Sequence, residues 1–389
     1  MTNKIRAIGA ALLVGLWLVL TGFAWFMPNQ IYSFSERSYL DRFPELSVEN
    51  ILEEGNESFM SEFNSYTLDQ FPLRDTFRQL KALFHLYGLQ QKDNNDLYIH
   101  NGYIAEMAVL DEKCFGANLT SIQRIYERYI KPAQEAGSTG KVYMGIIPDK
   151  NYFLAQDSGH LSLDYDKMFA DVQTAAPWAT HVDLTDVLDI SDYYYTDTHW
   201  RQEKLLDVAQ KLAAAMGVEG PREEDFTREK LEAPFLGVYY GQIAMPVPGE
   251  EIYILRNEML DNCFVSYDGA EPVKGVYDME RAQLKVETLP NGKTQVYSDL
   301  YEVFLSKESG KLVIENPNAK THKELIVFRD SFGRSLLPLL VQDYAKITAV
   351  DTRWIGGGTY MLQNQGIDFT NADVLFLYST LALNAQNLK

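Results

Sequence analysis

The chain has 389 residues, 46% of them hydrophobic and 13% aromatic, enough apolar surface for one large or two modest packed domains and too much for a disordered chain. Its formal net charge of −19 repels phosphate backbones, and its lysines and arginines are scattered, so no nucleic-acid partner is expected. Two cysteines, Cys114 and Cys263, are too few and too far apart for a zinc knuckle or a redox Cys-x-x-Cys, and sequence leaves open whether they pair.

Lys4 and Arg6 precede an uncharged apolar run from Ile8 to Met27. As a helix rising ~1.5 Å per residue this run is about 30 Å long, the thickness of a bilayer core. Residues 1–29 therefore read as a membrane anchor or signal segment. A cleaved signal peptide has an apolar part of roughly 7–15 residues closed by a small-x-small site, whereas bulky Phe23, Trp25 and Phe26 close this one, which favours a single uncleaved pass. The basic flank stays in the cytoplasm and everything after Pro28 is expected outside.

Residues 30–95 read as a stalk with an amphipathic packing helix near Asp75 to Tyr87. Leu97, Ile99, Tyr103 and Ile104 flank a His-Asn-Gly turn and predict a hairpin. Residues 96–232 hold the first part of an α/β domain. A helix from about Thr120 to Glu135 leads to the strand "KVYMGIIPDK", and a second helix, Gln202 to Met216, stops at Gly217. Residues 233–320 change to Gly, Pro and alternating residues, with a hairpin turn signal at Asn291-Gly292, and read as a β-rich insertion. Residues 321–389 return to the α/β rhythm: strand "ELIVF", helix Ser331 to Tyr344, strand "KITAV", strand "ADVLFLYS". Strand, helix, strand predicts a parallel sheet covered by helices on both faces.

Two short motifs carry chemistry. In "TDTHW", Asp197 and His199 are two apart and share one side of an extended segment. An imidazole changes charge near neutrality and suits a general base, provided a carboxylate steadies its other ring nitrogen. A purely structural Asp-x-His is the competing reading, and no second His or Cys cluster accompanies the pair to make a metal site. In "ELIVFRDSFGRS", Ser331 sits on the turn between an apolar strand and a helix, at the carboxyl end of the sheet, where ligands bind in α/β proteins. There it is either a nucleophile or simply the helix cap. Ser331, His199 and Asp197 together supply nucleophile, base and orienting carboxylate if folding brings the serine to the histidine. Trp200 is expected to pack against the following helix more readily than to touch substrate.

"TDTHW" and "FRDSFG" resemble the motif pair of the SGNH-hydrolase-like proteins that O-acetylate exported polysaccharides, the AlgJ- and AlgX-like proteins and the DHHW family. "SERSYLDRFPELS", "LDQFPLRD", "NDLYIHNGYIAEM", "IIPDK", "FLGVYYGQ" and "DVLFLYSTLALN" resemble segments of DHHW-type proteins, so the likeness runs over most of the chain. It implies an SGNH-hydrolase-like parallel sheet with permuted motif order, in which Asp and His precede the serine. It also implies Ser331 as nucleophile, His199 as base and Asp197 as its carboxylate. Thr198 stands where the DHHW motif has its first His, and Arg329 stands where a Gly-Asp-Ser block has its Gly. The oxyanion donor is thereby left to Phe332, Gly333, Arg334 or Tyr378, with Trp200 as a further substrate contact. The resemblance implies a membrane-anchored serine O-acetyltransferase without metal or other cofactor, a polysaccharide acceptor, and a polytopic membrane-bound O-acyltransferase that supplies the acyl group. The alternatives are a deacetylating esterase and a non-catalytic polysaccharide-binding or scaffold protein of the same system.

Overall fold

Leu325 to Arg329 are buried without interruption, the pattern of a strand covered on both faces. That strand lies within a sheet of eight: β1 (Val142–Ile147), β2 (Thr180–Val182), β3 (Phe264–Tyr267), β4 (Val273–Lys274), β5 (Lys311–Glu315), β6 (Glu324–Arg329), β7 (Lys346–Val350) and β8 (Asp373–Ser379). The computed structural model describes residues 2–52, 55, 58–288, 293–306, 308–385 and 388. Across the sheet the order is β4-β3-β5-β7-β6-β8-β1-β2. The run β7-β6-β8-β1-β2 is parallel throughout, and β5 joins it antiparallel along β7, Leu312 opposite Ala349.

Two compact units divide the chain, Met1–Asn94 with Tyr240–Val247, and Asn95–Tyr239 with Pro248–Lys389. In the second unit, alternate residues of the central strands feed separate cores. Leu325, Val327, Leu375 and Leu377 pack with Leu212 and Leu336 on one face, while Ile326, Phe328, Val374 and Phe376 pack with Ile122 and Met168 on the other. The mixed α/β fold with a central, mostly parallel, helix-flanked sheet is the one the sequence predicts. The 233–320 region is strand-rich, but β3, β4 and β5 extend the main sheet; outside that sheet Lys285–Thr288 pairs with Thr294–Tyr297, and Tyr253–Arg256 pairs with Thr227–Lys230, which precedes the region. The Asn291-Gly292 turn lies outside the described residues.

Helix boundaries follow caps that sequence periodicity underweighted. The helix expected from Thr120 begins at Glu112, because the Asp111 carboxylate accepts the N–H groups of Lys113 and Cys114. The helix expected to end at Gly217 does so, with that glycine in the left-handed region. Cys114 and Cys263 are not joined in a disulfide, and burial pushes the Cys263 thiol up to about 12.

The first unit contains α1 (Thr2–Phe26), α2 (Val48–Leu52), α3 (Phe59–Asp69) and α4 (Arg74–Leu83), the last prolonged by a wider turn over Phe84–Gly88. Lys4–Phe26 is long and apolar enough to cross a membrane, and a signal sequence passes the same test. The packing helix expected near Asp75 to Tyr87 forms, but Phe77, Leu80, Phe84 and Tyr87 are exposed.

Candidate active site

Three parallel strands deliver the site at their carboxyl ends: β6 runs into Asp330-Ser331, β1 into Asp149-Lys150, and β8 into Thr380. From β6 the chain passes to β7 on one side and then to β8 on the other, so Ser331 leaves the sheet where the winding reverses. Crevices form at such positions in α/β sheets.

His199 joins the two sequence motifs. Its Nδ1 lies 2.6 Å from Asp197 Oδ1, and its Nε2 lies 2.7 Å from Ser331 Oγ. The carboxylate only accepts, so Nδ1 carries the proton in the neutral ring and Nε2 is left to accept the serine hydroxyl. Asp197 is 1% exposed and Oδ1 also accepts the His199 N–H at 3.0 Å, while Oδ2 accepts the Val238 N–H at 2.8 Å. The imidazole lies flat on the ring of Tyr301, centroids 3.9 Å apart and planes 11° apart. The Tyr301 hydroxyl bonds Ser335 Oγ at 2.9 Å, and burial holds this phenol well above its usual range. A flat, neutral platform thus fixes the ring's tilt while Asp197 fixes its rotation.

The segment bearing Asp197 is clamped by two opposite charges. Lys150 Nζ donates to the carbonyls of Tyr194 and Tyr195, at 3.0 and 3.3 Å. Glu250 accepts the N–H groups of Tyr195 and Thr196, at 2.9 and 2.7 Å, and the Thr196 hydroxyl at 2.7 Å. Burial pushes the Lys150 ammonium down to about 7, against the pull of Asp197, Glu250 and Asp149. Burial likewise raises the Glu250 carboxyl above its ordinary value, against its hydrogen bonds to Thr196 and Tyr195. The third hold is backbone. Gly237 donates to Thr196 Oγ1 at 2.9 Å, and a Cβ on that glycine would fall 2.3 Å from the Cα and Cβ of Asp197. Only a residue without a side chain lets the two chains come this close.

The turn that carries Ser331 is set by its neighbour. Asp330 Oδ1 accepts the Phe332 N–H at 2.9 Å, and Oδ2 accepts the N–H and hydroxyl of Ser379, at 2.7 and 2.6 Å. The Asp330 side chain thus pegs the serine's turn to the end of β8. Beneath it, Arg329 faces Asp351 at 3.6 Å, both side chains being 1% exposed, and Asp351 is held again by Arg353 through two short contacts of 2.8 and 2.6 Å.

Of the residues singled out from sequence, Asp197, His199 and Ser331 meet; the others fall elsewhere. Ser331 does not cap the following helix, Gly333–Leu340, whose N-cap is Phe332 without a side-chain bond. The Phe332 N–H is held by Asp330 Oδ1, and the Gly333 N–H turns to the Asp330 carbonyl at 3.3 Å, so both already have an acceptor. The Ser331 N–H itself meets no acceptor among the described residues. Arg334 donates its N–H to the Ser331 carbonyl, and its buried side chain acts on Tyr301 and Glu302. Tyr378 is 1% exposed, packed beneath Asp330 with Thr352, Asp351 and Arg353. Trp200 is fully buried, and its indole N–H reaches both the Phe332 carbonyl and Ser335 Oγ at 3.0 Å. It ties the histidine's segment to the serine's helix and is closed off from substrate. Tyr301, Lys150, Glu250, Gly237 and Ser379 escaped sequence reading, because each meets the motifs only through tertiary packing.

No family model matches the chain, and no curated protein matches it by sequence. Among solved structures it is similar to a DHHW family protein from Eubacterium siraeum, at 16% identity over 76% of this chain and 94% of that one, TM-score 0.56. It is also similar to Bacillus cereus PatB1, at 17% identity over 75% of this chain and 98% of that one, TM-score 0.55. The chain shares their fold. PatB1 with a sulfonyl adduct aligns with a TM-score of 0.53. The O-acetyltransferase domain of Pseudomonas putida AlgJ aligns more loosely, at 14% identity and TM-score 0.43.

Proposed function

We propose that the chain is a membrane-anchored serine O-acetyltransferase that works outside the cytoplasm on hydroxyl groups of a polysaccharide. The observation that carries this reading is the relay Asp197–His199–Ser331, with hydrogen bonds of 2.6 and 2.7 Å on the two sides of one imidazole. Ser331 Oγ attacks the donor's acyl carbonyl while its proton passes to His199 Nε2. The Ser331 N–H faces the oxygen on which negative charge develops. His199 returns the proton to the leaving group, and the acyl group remains on Ser331. A sugar hydroxyl then gives its proton to His199 and attacks the acyl carbon, and the regenerated serine recovers that proton. Asp197 stabilises the imidazolium in both halves. The motif resemblance supplies acetyl as the acyl group, polysaccharide as the acceptor, and a membrane-bound O-acyltransferase as the source of the donor. The anchor is α1, kept uncleaved.

The full chain in detergent tests this. A sulfonyl fluoride should add one sulfonyl group at Ser331, and an activated acetyl ester should give an acetyl-enzyme whose discharge is accelerated by oligosaccharide hydroxyls. Ser331→Ala should take neither group, and His199→Ala should slow both reactions. An unmodified wild-type Ser331 with no acetate release points instead to a scaffold that kept the fold, and discharge to water alone, indifferent to oligosaccharide, to an esterase.

A further inference from the structure

The helices that follow α1 are built the wrong way round for water. Neither α2 nor α3 buries a single residue, although Leu46, Val48, Ile51 and Leu52 lie in or beside α2 and Met60 and Leu68 lie in α3, all exposed. Helices of five and eleven residues are marginal in water unless packing supports them. Along α4 and its continuation, Phe77, Leu80, Phe84 and Tyr87 recur at helical spacing and face outward, Leu80 54% and Tyr87 70% exposed. Arg78, on the same helix, is turned inward to Glu36 at 3.0 Å. A surface helix in water points such a stripe at its core.

What covers this face is indicated by α1, which belongs to the same unit. A cavity of about 670 Å³ is lined by Trp17, Leu20 and Ala24 of α1 and by Phe43, Phe63 and Phe71. Trp17 lies nine residues before Phe26. At ~1.5 Å per residue that is roughly 13 Å inward along the helix, near the middle of a ~30 Å hydrocarbon core. The cavity that Phe43 and Phe63 line, which runs from Trp17 to Asn29 beyond the helix end, therefore opens onto the hydrocarbon along its α1 side whenever α1 spans. Phe71 packs edge-on against Phe77, centroids 5.4 Å apart, which joins the cavity wall to the α4 stripe. Charge argues for an apolar attraction: α2 and α3 contain Glu49, Glu62 and Asp69 and no Lys or Arg, and of the three basic residues of α4, Arg74 and Arg78 are paired with Glu36, Asp69 and Asp75, which leaves Lys81 and no basic patch for anionic headgroups.

We propose that α2, α3 and α4 form a lipid-facing surface, seated in the leaflet from which the chain emerges, with acyl chains filling the cavity beside α1. This rests on α1 being an uncleaved span. Binding is driven by apolar burial, so it is indifferent to anionic headgroups and to salt.

The test places single cysteines in the full chain, in a Cys114→Ser, Cys263→Ala background, at Val14→Cys, Leu52→Cys, Leu80→Cys and, in the second unit, Leu161→Cys. Each carries an environment-sensitive fluorophore and is reconstituted into phosphatidylcholine vesicles containing nitroxide-labelled lipid. Probes at 14, 52 and 80 should shift to the blue and be quenched several-fold more than the probe at 161, with no change on adding phosphatidylglycerol or salt. If 14 is quenched and 52 and 80 stay water-like, α1 spans and the lipid-facing surface is wrong. If 52 and 80 shift to the blue without quenching, protein covers the face and the proposal falls. If 14 is itself unquenched, the span and this proposal fall together.

Discussion

The corner around Ser331 and the helices α2 to α4 use side chains in opposite ways. Around the serine, charged and polar groups are drawn inward and matched: Asp197 accepts from His199 and Val238, Asp330 from Phe332 and Ser379, Glu250 from Tyr195 and Thr196. In α2 to α4, apolar groups are turned outward and left for something else to cover. A buried charge is tolerated only when its partners are fixed, so the first region holds its atoms in a single arrangement. The second is completed by its surroundings, and changes there should leave the chemistry untouched.

The largest effect that sharpens this contrast is Ser331→Ala, which should cost roughly 10⁴- to 10⁶-fold in acyl transfer without moving the melting temperature or lipid quenching. Asp197→Asn keeps the shape but lets the wrong ring nitrogen carry the proton, and should cost about 10⁴-fold in kcat. Gly237→Ala forces a Cβ into Asp197 and, by displacing the carboxylate, should cost about 10²-fold or more in kcat/KM; an unchanged rate would show that the close approach does not set the site. Trp200→Phe removes an indole donor from two buried acceptors and should lower the unfolding free energy by about 1–3 kcal/mol, read from denaturant or thermal melts in detergent.

A last effect is a pH dependence of stability. The folded chain holds the Lys150 proton only up to about 7, whereas an unfolded lysine keeps its proton to about 10.4. Between these values the unfolded state binds the extra proton, so this group makes stability rise with pH across the window and contributes no slope below it. Lys150→Met lacks that slope. The wild-type melting temperature minus that of the variant should therefore climb from about pH 7 to about pH 9.5; a difference that stays level would mean the lysine does not titrate there.

Much of the candidate site was legible because its information is local. Asp197 and His199 lie on one segment, and Ser331 lies at a strand's end, so spacing and an apolar run were enough to nominate all three. That Asp330 folds forward to accept the Phe332 N–H could not be read from the motif, because its other oxygen is fixed by Ser379 almost fifty residues on. "IIPDK" and "FLGVYYGQ" were recognisable as segments, yet what Lys150, Gly237 and Val238 hold emerges only when three distant stretches converge. The alternating pattern of 233–320 found strands without saying which sheet they join. Periodicity found α4 but not which of its faces meets water, since a stripe of Phe and Leu reads the same beside a protein core or beside lipid.

The peg between Asp330 and Ser379 also has a bearing on timing. A ribosome makes His199 before Ser331 and Ser331 before Ser379, and domains fold as they emerge. The turn that carries Ser331 is therefore secured only once β8 has been delivered and slotted between β6 and β1. A chain extended only as far as β7 holds Asp197, His199 and Ser331 and still lacks the Ser379 partner that pegs the serine's turn, so the site's geometry is completed last.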